Sequence, residues 1–182
     1  FGATIIECEP SNFEQALEIR DQYLKSEENT WSPRQFSNTQ NIDCHFLTTA
    51  HEIHSQMGKN WECFIHGAGT GGTIMGISRY ISSKSIPVSV GLVLPEEEMH
   101  GIQGIGDGED FLVNRNCIDF TTIIKTDNAI DRSKRFAKET GIMVGISSGA
   151  NILAAEKWVR ENPDKGSVVI ILCDRGERYL SI

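Results

Sequence analysis

Two stretches of the chain, VSVGLVL at 88–94 and SVVIILC at 167–173, are apolar almost without interruption. A strand with one face in water alternates polar and apolar residues, whereas one that is apolar throughout has both faces covered. Ala3–Cys8 (ATIIEC), Glu62–Ile65 and Phe120–Ile124 read as further strands, and Gln35-Phe36 as part of a short one. Helical patterns stand between them. Thr73–Ser82 and Asp127–Glu139 are two, the second with Gly141 as its C-cap, and a third starts near Ser148 and stops before Pro163. Ser11-Asn-Phe-Glu14 fits a capping box ahead of an apolar stripe of Phe13, Ala16, Leu17 and Leu24. Thr49-Ala-His-Glu52 fits a second, opening a helix to about Gly58. This order predicts an α/β fold, a mostly parallel sheet with helices on both faces in three layers. Ligands in such folds sit at the carboxyl ends of the strands, which selects the loops after Ile65, Gly145 and Leu172.

Composition narrows the function classes. The net charge of -8 disfavours nucleic acid and anionic membranes as partners, since a phosphate surface would repel the chain. No apolar run is long enough for a transmembrane helix. Five cysteines, Cys8, Cys44, Cys63, Cys117 and Cys173, are scattered with no CxxC, which reads as reduced thiols and a cytoplasmic setting. His51 and His54 lie three apart with His45 upstream, but HExxH is absent, so they read as a polar helix face and no metal is expected. The chain opens on Phe1-Gly2-Ala3, and this start is expected to be internal to a longer protein.

The stretch 63–76, CFIHGAGTGGTIMG, carries the chemistry. Gly67, Gly69 and Gly72 match G-x-G-x-x-G between a strand and a helix, formally a dinucleotide fingerprint, with Glu96 as its acidic residue. Some 60 residues of α/β pattern precede it, unusual for that reading. The alternative is a phosphate cup. Gly69, Thr70, Gly71, Gly72 and Thr73 let several N–H groups converge, two hydroxyls add donors, and the following helix offers the positive end of its dipole. A tight turn without ligand is the third possibility.

GAGTGGTIMGISRYI (67–81), HGIQGIGDG (100–108), GIMVGISSGAN (141–151) and GERYLS (176–181) together resemble the cysteine synthase and cystathionine β-synthase family, with QFSN (35–38) and TT (48–49) in order. These are pyridoxal-phosphate enzymes of the tryptophan-synthase-β fold type. The resemblance implies that Gly69 to Thr73 bind the cofactor phosphate and that Ser147 hydrogen-bonds its pyridine nitrogen. It places Cys173 at the ring edge, Gln35 near the substrate carboxylate, and Gly104–Gly108, with Gly104 and Gly106 foremost, along the cleft. Ser148 reads as a helix cap, which remains an ordinary explanation for both serines; Cys173 is equally readable as a core thiol. A hydroxyl at the ring nitrogen makes a shallower electron sink than a carboxylate partner would. That favours loss of a β leaving group and attack by a nucleophile such as sulfide.

The resemblance also implies a division at residues 1–35, the end of a small mobile domain, and 36–182, an incomplete cofactor domain. The family's Schiff-base lysine and its substrate-gripping loop have no counterpart among the eight lysines, so the chain is expected to be inactive alone. NPANP is replaced by Asn38-Thr-Gln-Asn-Ile42, and PSSGERY by CDRGERY (173–179). Arg175 and Arg178 are candidates to meet an anionic donor such as O-phosphoserine. A parent cysteine synthase acting on O-acetylserine or O-phosphoserine is one hypothesis, with a homodimer or a serine acetyltransferase as possible partners. A non-catalytic partner of such an enzyme and a dinucleotide-binding domain are the others.

Overall fold

The computed structural model describes residues 1–10, 12–106 and 111–180. The chain divides into two compact units, Phe1–Arg34 and Gln35–Ile182. In the first, α1 (Phe13–Ser26) begins at Asn12, whose side chain accepts a hydrogen bond from the Gln15 N–H. The proposed capping box depends on Ser11, which lies outside the described residues. Ala3–Cys8 is not a strand. A strand needs a neighbour to satisfy its N–H and C=O groups, and this segment pairs with none among the described residues.

The second unit runs α2 (Gln40–Leu47), α3 (Thr49–Met57), β1 (Trp61–Gly67), α4 (Gly72–Ser83), β2 (Ser89–Pro95), β3 (Phe120–Ile124), α5 (Thr126–Thr140), α6 (Ile146–Glu161) and β4 (Ser167–Ile170). The four strands form one wholly parallel sheet in the order β3-β2-β1-β4. β1 and β2 are covered on both faces, as their apolar runs required; β4 is only half-buried and ends at Ile170, short of the apolar run to Cys173, with Leu172 and Cys173 exposed. On one face Phe64, Val90 and Leu92 pack under Ile74, Ile77 and Tyr80 of α4 and Ala50 of α3. On the other, Cys63, Ile65 and Val93 pack under Ala129 of α5 and Ile146, Ala150, Ala154 and Trp158 of α6.

Three local expectations are corrected. Gln35-Phe36 is a turn, not a strand. It leads into α2, a helix the sequence reading lacked: eight residues long, with Ile42 and Phe46 packed on the core and Leu47 exposed. The capping box at Thr49 does not form. Thr48 precedes α3 with no side-chain cap, and the Thr49 hydroxyl lies 3.0 Å from His45 Nδ1 instead. Nor does Ser148 cap α6. The extended backbone of Gly145 opens that helix, and the buried Ser148 accepts a hydrogen bond from the Cys173 N–H at 2.9 Å.

Gly149 sets how closely α6 crosses α5. A Cβ there would strike the Ala129 carbonyl and come within 3.0 Å of the Ser133 nitrogen. Gly149→Ala is expected to cost about 1–2 kcal/mol net, since overpacking of about 1–3 kcal/mol is partly offset by alanine's better helix propensity. Urea unfolding followed by circular dichroism measures this.

Candidate functional site

Connections β1-α4-β2 and β2-β3 step one way across the sheet, whereas β4 lies on the other side of β1. The direction of winding therefore reverses between β1 and β4. Loops leaving the carboxyl ends of two such strands part to opposite faces and leave a crevice. β1 feeds the glycine loop and α4 on one face, and the segment after β4 meets the start of α6, on the other.

The glycine loop is shaped by contacts that leave no room for side chains. Gly71 has φ +92, the left-handed region, and a Cβ there would lie 2.6 Å from Val113 Cγ2 and 2.9 Å from the Val113 nitrogen. At Gly72 a Cβ would collide with the Asn41 side chain. At Gly69 it would meet the Gly104 carbonyl oxygen at 2.6 Å. Main-chain bonds fix the same approach: Gly106 N–H donates to the Ala68 carbonyl at 3.0 Å, and Leu112 N–H to the Thr70 carbonyl at 3.1 Å. Thus the glycine loop, Gly104 and Gly106 form one piece. Gly108, the end of the expected Gly104–Gly108 wall, lies outside the described residues. α4 opens at Gly71 with no side-chain cap. Its first-turn N–H groups have no partner within the helix by geometry, and an anion would complete them.

The second cluster sits at the start of α6, likewise uncapped by a side chain. Ser147, 5% exposed, stands beside the Cys173 side chain and favours its ionised form. Burial raises the Cys173 thiol, Ser147 opposes this, and the Asp174 carboxylate adds to it. The sulfur is therefore a protonated thiol at neutral pH. Asp174 also accepts the Tyr179 hydroxyl at 2.7 Å, and burial, followed by that bond, pushes Tyr179 up to about 12. Arg175 pairs by an isolated antiparallel bridge with Val144, and Arg178 lies in the short helical turn Gly176–Tyr179.

Asn151, fully buried, ties the two clusters together. Its Oδ1 accepts from Gly67 N–H at 2.8 Å, and its Nδ2 donates to the Ile171 carbonyl at 2.9 Å. The β1–β4 ladder ends at Ile65 and Ile170, so Asn151 satisfies the main chain just where the strands separate. The Cys173 sulfur lies 3.7 Å from the same Nδ2. Gln35 joins from the other side: Asn41 Nδ2 donates to the Gln35 carbonyl at 3.1 Å and to Thr70 Oγ1 at 2.9 Å.

The sequence reading missed Asn41, His45 and Asn151. Asn151 stood inside GIMVGISSGAN and Asn41 inside the altered NPANP segment, but neither carried a local pattern that would mark it. His45 was set with His51 and His54 as a polar face. The rings of His51 and His54 instead lie 4.7 and 5.8 Å from Tyr80, while His45 faces Thr73. No group of three residues suited to a metal ion occurs among the described residues.

The pyridoxal-phosphate dependent enzyme family matches residues 1–174. The chain belongs to that family. Membership takes the place of the dinucleotide reading of the glycine spacing. Within the pyridoxal-phosphate dependent family the chain is similar to a cysteine synthase of Staphylococcus aureus, 34% identical over all of this chain and 62% of the relative. It is also similar to cysteine synthase B of Campylobacter jejuni, 35% identical over all of this chain and 64% of the relative. Among solved structures, the O-acetylserine dependent cystathionine β-synthase of Helicobacter pylori superposes with a TM-score of 0.89 at 29% identity, covering 100% of this chain and 62% of that one. A hydrogen sulfide-producing enzyme of Fusobacterium nucleatum gives 0.91 at 30% identity, covering 99% and 58%. The chain thus spans somewhat less than two thirds of these relatives.

Proposed function

We propose that these residues form the cofactor-holding part of a cysteine synthase-like enzyme that replaces a β substituent of an activated serine, O-acetylserine or O-phosphoserine, with sulfide. One observation carries this reading: an uncapped glycine cup and a neutral Ser147–Cys173 pair meet across the strand-order reversal, joined by Asn151. The cup fits a phosphate monoester, because Gly71 and Gly72 keep free of side chains the space that amides need to converge. Gly69, Thr70, Gly71, Gly72 and Thr73 would hold the phosphate of pyridoxal phosphate. When bound, that cofactor supplies the electron sink that weakens bonds at an amino acid's α-carbon.

Ser147 would donate to the ring nitrogen as a neutral group, Cys173 would lie against the ring edge, and Gly104 and Gly106 would wall the cleft. Gln35 would face the substrate carboxylate. The reading also calls for a Schiff-base lysine, and none of the eight lysines stands in the family's Schiff-base motif, so these residues alone are expected to bind without turnover. A homodimer or a complex with serine acetyltransferase belongs to the same reading. A cytoplasmic setting, suggested by the scattered cysteines, belongs to it too.

Thermal shift separates the alternatives. A ligand that binds only the folded chain raises its melting temperature by mass action. Pyridoxal phosphate is expected to raise it, unphosphorylated pyridoxal to do so far less, and NAD(H) not at all. A shift with NAD(H) alone would overturn the proposal.

A further inference from the structure

Each hydroxyl of the cup has a side-chain nitrogen behind it, and both nitrogens come from one face of α2. Asn41 Nδ2 lies 2.9 Å from Thr70 Oγ1, and His45 Nε2 lies 3.2 Å from Thr73 Oγ1. Residues four apart on a helix share a face, so α2 presents the two side chains together to the start of α4. Helix α2 is held close, because a Cβ at Gly76 would meet His45 Cβ at 2.6 Å and the Ile42 carbonyl at 2.8 Å. Arg79 of α4 binds Asp43 on α2 at 2.6 Å.

A hydroxyl has one proton and two lone pairs. If its oxygen already accepts from behind, its proton is free to point forward. Thr70 Oγ1 accepts from Asn41 and, at 3.4 Å, from Gly72 N–H. His45 can do the same for Thr73 only with its proton on Nε2, which requires Nδ1 to accept. The Thr49 hydroxyl stands 3.0 Å from Nδ1, able to donate. In the opposite tautomer Thr73 would give its proton to His45 and have none for a ligand.

We propose that Asn41 and His45 are positioning residues that aim the Thr70 and Thr73 protons into the cup, with Thr49 setting the His45 tautomer. The proposal rests on the phosphate reading of the cup. An anion is acceptor-only, so it rewards this arrangement and no other. Burial lowers His45 below the ordinary imidazole value, so its ring is neutral near pH 7. The titratable groups around it are Asp43 on its own helix, bound to Arg79, and His66 of β1, which burial and then His45 itself lower to about 4.

The test compares pyridoxal 5'-phosphate with pyridoxal by fluorescence titration of the 182-residue chain. His45→Phe and Asn41→Leu are each expected to weaken pyridoxal phosphate about ten-fold, the scale of one hydrogen bond to a charged group, and to leave pyridoxal unchanged. His45→Gln, whose amide can still donate to Thr73, is expected to recover most of the affinity. Nitrogen-15 NMR of the phosphate-loaded chain should show the His45 proton on Nε2. A proton on Nδ1 instead, or His45→Phe binding as tightly as the unsubstituted chain, would overturn the inference and leave the cofactor reading standing. Failure of the unsubstituted chain to prefer the phosphorylated compound would bring down both.

Discussion

Asn151→Ala is expected to lower the free energy of unfolding by about 1–3 kcal/mol, because it leaves the buried Gly67 N–H without its acceptor, while the half-buried Ile171 carbonyl keeps only the Cys173 thiol at 3.7 Å. The urea midpoint reads this directly. Asn151→Asp separates the hydrogen bonds from simple packing. An ionised aspartate keeps the acceptor for Gly67 but places a second acceptor, and a buried charge, against the Ile171 carbonyl. Burial raises the carboxyl's folded-state pKa above its unfolded value. The folded state then takes up the extra proton, so stability rises as pH falls through the folded value and is lost as pH rises. The protonated form can donate to Ile171. Asn151→Asp should therefore be among the least stable variants at pH 7 and recover in acid, whereas Asn151→Ala should show no such recovery. Equal pH profiles for the two would remove Asn151 as a hydrogen-bonding bridge.

Gly71→Ala is the second large effect. Its φ of +92 costs an L-residue about 1–2 kcal/mol, and the new Cβ would press on the side chain and main-chain nitrogen of Val113. Relief requires moving the 112–113 segment, which Leu112 N–H ties to the Thr70 carbonyl. The strain therefore passes to Thr70 itself. Expected results are a stability loss of about 2–4 kcal/mol from strain plus overpacking, and a loss of pyridoxal phosphate affinity well beyond ten-fold. Retained affinity in a destabilised Gly71→Ala chain would show that the loop is a structural turn and that the phosphate seat lies elsewhere.

Most of the sheet was legible because its signal is local. β1, β2 and β4 are apolar on both faces, as strands between two helical layers must be. What failed was what depends on partners. The apolar pattern of Ala3–Cys8 suits a strand but says nothing of a neighbour to pair with. α2 is short, and its core-facing pair, Ile42 and Phe46, spans a single turn, too brief a stripe to mark a helix. Ser148 has the chemistry of a cap, yet its hydroxyl serves a main chain 25 positions away. The glycine cup was legible as a turn entering a helix, since its glycines are contiguous. Its supports were not: His45 reaches Thr73 across 28 positions and Asn151 reaches Gly67 across 84. A lone asparagine or histidine carries no mark of a contact that only folding creates.

The backbone-on-backbone packing of the glycine loop against Gly104 and Gly106 has one more consequence. A holder built mainly from peptide groups, with the two threonine hydroxyls braced from behind, owes little to the side chains in front of it, provided nothing larger than hydrogen intrudes at Gly69, Gly71 and Gly72. If the proposed phosphate seat is right, choice among the molecules attached to it would be written elsewhere, in a short vocabulary of proposed rim residues such as Gln35, Ser147 and Cys173. Anchoring and discrimination become separate modules, so redesigning the rim should change what is accepted while the anchor stays as it is.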